Sequence, residues 1–221
     1  PDWGILGMDL NRFIAALSGP RFWTLFAMLS TRGVGFVTSF AVARLAGAQW
    51  LGAYSAVLNT ASAVTAPFAQ VLANNATVVA AQAHREGQGS FRAHAKGHLL
   101  LGAGLSLPAC LLLAWLLAST RAEVSPAVWE MMLVAGWCVA SGQVLAGVIQ
   151  GFYQGAGHFL AAARLMTVVA AGMGILAIPA VWFGGVGGAL LIASGVAVLP
   201  ALLLGVGVFW LHEWQAGEGV T

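Results

Sequence analysis

Apolar residues in this chain come in long unbroken runs rather than in alternation, and six runs reach the ~20 residues a helix needs to cross a hydrocarbon core. They fall at Phe22–Ala46, Leu51–Ala81, Leu99–Ala118, Val128–Ile149, Phe159–Phe183 and Ala189–Leu211. Polar or glycine-rich breaks separate them at Gly47–Trp50, Gln82–His98, Ser119–Ala127, Gln150–His158 and Gly184–Gly188. Barrel strands would alternate in polarity and run only about 9–11 residues. The pattern predicts an all-α integral membrane protein, a bundle of six transmembrane helices. Residues 1–21 form an interfacial N-terminal segment, 22–211 the transmembrane lobe and 212–221 a tail. Phe13–Leu17, ahead of Pro20, reads as a short amphipathic turn along the membrane surface, and the second run is long enough to tilt or to project past the bilayer.

Composition removes the competing classes. Of 221 residues, 60% are hydrophobic and 7% charged, with a mean hydropathy of +0.87. Soluble domains carry about 25% charged residues, so this chain cannot cover a water-facing surface, and it is too apolar to be disordered. A formal charge of +2 gives no reason to expect nucleic acid as a partner. Basic residues near span ends set the orientation. With the N-terminus inside, Arg12, Arg21, Arg85, Arg92 and Lys96 are cytoplasmic, while Arg44 and Arg121 face outward, so both termini are expected in the cytoplasm. Trp23, Trp50, Trp115, Trp129, Trp182, Trp210 and Trp214 lie near proposed boundaries, where amphipathic rings prefer to sit; Trp137 falls deep in a span.

Arg32 is the most informative position. Ten residues into the first run, it lies about 15 Å along the helix axis, near the middle of a ~30 Å core. A guanidinium there costs about 2.5–3.5 kcal/mol or more unless it faces a wet cavity or an acidic partner, and no span offers a carboxylate at that depth. Arg164, about 8 Å into the fifth run, can either bend back to the headgroups or meet a substrate. Asn59, Ser62, Gln70, Asn74 and Thr77 recur at helical spacing on the second run; such groups either stitch helices together or line a cavity. Gln143 and Gln150 form a sparser set on the fourth. Pro67, Pro108, Pro179 and Pro200 lie inside spans, where each removes a backbone hydrogen bond. Cys110 and Cys138 read as small buried hydrophobes, and His84, His94 and His98 as solvated residues of the largest loop. No acid–base pair, nucleophile, phosphate loop or metal-ligand spacing is present, and no cofactor is implied.

The order of these features resembles a known family. Leu29-Ser-Thr-Arg-Gly-Val-Gly-Phe-Val-Thr-Ser-Phe-Ala-Val-Ala-Arg-Leu-Ala-Gly-Ala48, followed by Trp50-Leu-Gly-Ala-Tyr54, is similar to the opening of polysaccharide-biosynthesis flippases of the multidrug/oligosaccharidyl-lipid/polysaccharide exporter superfamily. Gly147-Val-Ile-Gln-Gly-Phe-Tyr-Gln-Gly-Ala-Gly-His-Phe159 resembles the linker between their fourth and fifth helices, and Gly184-Gly-Val-Gly-Gly-Ala189 their glycine turn before the sixth. The resemblance implies one lobe of a two-lobed transporter working by alternating access in a bacterial inner membrane. Its substrate would be an undecaprenyl-pyrophosphate-linked oligosaccharide, an anionic lipid-linked glycan, with membrane lipid and a second lobe or second copy as partners. Arg32, Asn59, Gln70, Asn74 and Arg164 are the expected substrate-binding residues. Related lipid II flippases carry a further Arg where this chain has Thr38, which argues against that substrate. The rival expectations are a cation-coupled multidrug exporter of the same superfamily and a non-transporting assembly subunit; a membrane enzyme would lack any acid, base or nucleophile.

Overall fold

The computed structural model describes residues 20–209 apart from 87 and 123. Five helices carry the fold: α1 (Pro20–Ala41), α2 (Ala48–Glu86), α3 (Gln88–Leu117), α4 (Pro126–Gly155) and α5 (Phe159–Val208). Each is long and apolar enough to cross a membrane. A five-residue π-helical turn, Val42–Ala46, ends α1, and Gly47 then reverses the chain at φ 107°. A 3-10 turn, Ala118–Ala122, follows α3. Pro126 opens α4 at a position where a missing N–H costs nothing.

The 50-residue α5 is two crossings joined by a bend. At Gly185 the backbone takes φ 56° and ψ −136°, a left-handed region that glycine reaches at little cost, and the chain doubles back there. A Cβ on Gly188 would run into the backbone of Ala180 and Val181, so the two arms touch directly beyond the bend. The bundle therefore has six membrane-length segments, matching the six apolar runs.

Two buried clusters mark its ends. Ala83, Phe91, Ala95, Phe152, Tyr153, Ala162, Leu204 and Val208 share one cluster; Val42, Tyr54, Val57, Leu117, Met132, Val181 and Val186 share the other. The grouping alternates along the chain as an up-and-down bundle requires. It places Arg85, Arg92 and Lys96 at one end, called the basic end below, and Arg44 and Arg121 at the other.

Three expected breaks are narrower than the sequence implies. Gln82–His98 is helical among its described residues, because α2 continues to Glu86 and α3 begins at Gln88. Its polar side chains need water, but their backbone can stay helical beyond the membrane. His84 and His98 are accordingly half-buried residues of these helices, ring-to-ring with Phe91 (6.2 Å) and Phe152 (5.5 Å) respectively, and only His94 is exposed. Gln150–His158 shrinks to residues 156–158, since Gly147, Gly151 and Gly155 all lie within α4. A Cβ on any of the three would strike Ala69, Ala73 or Thr77 of α2, so this stripe is the surface on which α2 and α4 meet, rather than a linker. Gly184–Gly188 is a bend rather than a loop. Cys110 and Cys138 are half-buried rather than sealed in the core. Arg12, Phe13–Leu17, Trp210, Trp214 and the 212–221 tail lie outside the described residues.

Candidate functional site

Between α1, α2, α4 and the returning arm of α5 the bundle is hollow. The larger space, about 510 Å³, is walled by apolar and small residues with polar groups set among them. Those groups are Thr31 and Thr38 of α1, Tyr54, Ser62 and Gln70 of α2, and Gln143 and Gln150 of α4. Small residues on the facing turns, Ala66, Ala69, Ala73, Gly147, Ala193 and Ala197, leave the room. A second space of about 310 Å³ adjoins it, and Thr31, Gln150 and Met166 line both. Arg32 lines this smaller space with Gln154, Phe159, Ala162 and Ala163.

Arg32 is exposed and makes no ion pair or hydrogen bond with a described residue. Its neighbours are the last turns of α4 and the first two turns of α5, so its cavity lies toward the basic end. α1 and the first arm of α5 start at the same level: the Arg164 guanidinium lies over the Trp23 ring at 5.4 Å, and a Cβ on Gly174 would touch Val34 at 3.4 Å. The first of these contacts describes the setting of Arg164. It stacks on an aromatic face and lines neither cavity, a stable setting for a guanidinium at the membrane boundary.

The α2 stripe divides. Gln70 lines the larger cavity and donates through Nε2 to Asn74 Oδ1 at 3.0 Å. Asn74 lines neither space and meets the cavity wall only through this bond to Gln70. Asn59 is exposed, lines neither space and has no hydrogen bond to a described residue. Ser62 is drawn into the site by Gln143, whose Nε2 donates to Ser62 Oγ at 3.2 Å while its Oε1 lies 2.5 Å from the buried Thr65 hydroxyl. Gln150 donates to Met166 Sδ at 3.1 Å. Both stitching and lining therefore occur on the same helices.

Thr38 and Tyr54 are lining residues that the sequence does not single out. Thr38 donates to its own helix at Val34 O (2.7 Å), and an isolated hydroxyl in an apolar run looks the same whether it faces a cavity or a neighbour. The described carboxylates, Glu86 and Glu130, stand near helix ends and line neither space. The wall thus offers one guanidinium together with amides and hydroxyls.

A multi-pass bundle whose polar side chains converge on an open hollow has the build of a membrane transport protein. The comparison with known families agrees: residues 24–183 match the MatE family model. The chain belongs to the MatE family, transporters of the multidrug/oligosaccharidyl-lipid/polysaccharide exporter superfamily. No curated protein and no solved structure matches the chain.

Proposed function

We propose that this transporter flips a lipid-linked anionic oligosaccharide, with Arg32 receiving the pyrophosphate and the larger cavity receiving the sugar. The observation that carries the reading is Arg32, with no ion pair or hydrogen bond to a described residue, lining a hollow whose other polar groups are neutral. A guanidinium binds phosphate oxygens through a planar fork of donors, and the attraction strengthens where water is scarce. The cavity Arg32 lines extends toward the basic end, at Gln154 and Phe159, where a pyrophosphate carried at the headgroup level would enter. Amides and hydroxyls from Gln70, Ser62 and Gln143 can donate to and accept from sugar hydroxyls without fixing one glycan. A cation-coupled drug exporter would be expected to place a carboxylate in the hollow, and none lines it among the described residues.

The membrane would be a bacterial inner membrane with both termini cytoplasmic, supported by Arg85, Arg92 and Lys96 at one end against Arg44 and Arg121 at the other. A second lobe or second copy would close the open side of the hollow. The test is translocation of a fluorescent polyprenyl-pyrophosphate glycan in proteoliposomes. Arg32→Gln should lower the rate at least tenfold at equal protein incorporation, and Arg32→Lys should retain part of it, keeping the charge but losing the fork. Wild-type translocation by Arg32→Gln, or organic-cation efflux that ignores the substitution, would point to the drug-exporter reading.

A further inference from the structure

A third space, about 430 Å³, lies on another face of the bundle and shares no lining residue with the two described above. It is a groove between α3, α4 and the returning arm of α5. Its floor is made by close helix approach: a Cβ on Gly142 would meet the backbone of Ala197, and one on Gly205 would press on Ile149. Leu145, Leu202 and Val206 form its walls. Along α4 it runs from Ser141 to Ile149, about 12 Å at the helical rise, from the middle of the helix toward the basic end. Apart from the Ser141 hydroxyl, which donates to Trp137 O at 2.6 Å, its lining side chains are apolar.

The end of this groove is charged. Leu99 and Phe209 line it there, and Arg92 Nε donates to Phe209 O at 3.1 Å. Lys96, the chain's one lysine, is exposed on the same face of α3, four residues beyond Arg92 and three before Leu99. A groove that is apolar toward the bundle centre and cationic at the level of the headgroups has the charge order of an anionic lipid.

We infer that this groove holds one acyl chain of an anionic glycerophospholipid whose phosphate rests against Lys96 and Arg92. The groove is separate from the transport hollow, so the inference stands whether or not the flippase reading holds.

Native mass spectrometry of the purified full chain, titrated with phosphatidylglycerol or phosphatidylcholine, tests it. Phosphatidylglycerol should be retained more tightly. Removing a charge near the lipid surface should weaken it about fivefold each, for Lys96→Gln and for Arg92→Gln, with Lys96→Arg restoring it. Val206→Trp, at a position 69% exposed where a larger ring disturbs no core packing, should block the groove and lower retention without altering the thermal stability of the delipidated protein. Equal retention of the two lipids overturns the inference, as does retention unaffected by both Lys96→Gln and Val206→Trp. Tighter lipid binding after removal of residues 210–221 also overturns it, since the occupant would then be the chain's own tail.

Discussion

At the scale of single residues, Thr65 and Gln143 show how polar atoms survive inside this bundle. Thr65 is fully buried, and its hydroxyl lies between Ala61 O (2.8 Å) and Gln143 Oε1 (2.5 Å). Interhelical bonds of this kind contribute about 0.6 kcal/mol on average and at most ~1.7, because the unfolded chain in lipid also finds partners. A double-mutant cycle of Thr65→Val and Gln143→Leu, read by unfolding in mixed micelles, should return a coupling within that range; zero coupling would mean that the pair contributes nothing. The same chemistry explains which site residues were legible. Arg32 and Gln70 stand out because a long polar side chain in an apolar run has few ways to be satisfied. Asn59 stands out equally but lines neither space, since helical spacing fixes a residue's azimuth and not whether a cavity opens at its level. Tyr54 and Thr38 carry no such signature, and only the placement of α1 against α2 brings them together.

At the scale of elements, the glycines of α4 are the sharpest departure from what the sequence implies. Gly147, Gly151 and Gly155 resemble a linker, the last two in a polar stretch, yet polarity reports the solvent around a segment and not its backbone. Their spacing of four was the usable signal, since it puts all three on one helix face. The apolar runs themselves were reliable for the opposite reason: an unbroken ~20-residue stretch in lipid has to satisfy its own backbone, and a helix does so. At Gly151 an added Cβ would meet Ala73 O and, at 2.7 Å, Ala76 Cβ, whereas at Gly52 of α2 it would meet nothing within 4 Å. Gly151→Ala should therefore destabilise the protein by about 1–3 kcal/mol through overpacking. Gly52→Ala should be neutral or stabilising by up to about 1 kcal/mol, because alanine is the better helix former. Equal effects of the two substitutions in the same unfolding assay would remove the close α2–α4 approach from the account.

At the scale of the whole molecule, everything depends on α5 turning back at Gly185. Straight, its 50 residues would measure about 75 Å, against a core of ~30 Å. Folded, its returning arm supplies Ala193 and Ala197 to the transport hollow, and Gly205 and Val206 to the lipid groove. Two bonds tie that arm to the basic end: Tyr153 Oη donates to Leu204 O at 3.2 Å, and Arg92 Nε to Phe209 O at 3.1 Å. Impermeant maleimide labelling on intact spheroplasts reads the path directly once Cys110 and Cys138 are replaced by Ala. Single cysteines at Lys96, Gln154 and Phe209 should label from one side of the membrane, and those at Thr120, Ala127 and Phe183 from the other. A five-crossing chain would move Phe209 into the second group while leaving the other five unchanged. That single difference decides whether one arm of α5 can face both cavities, because only a six-crossing chain returns it between α1 and α4.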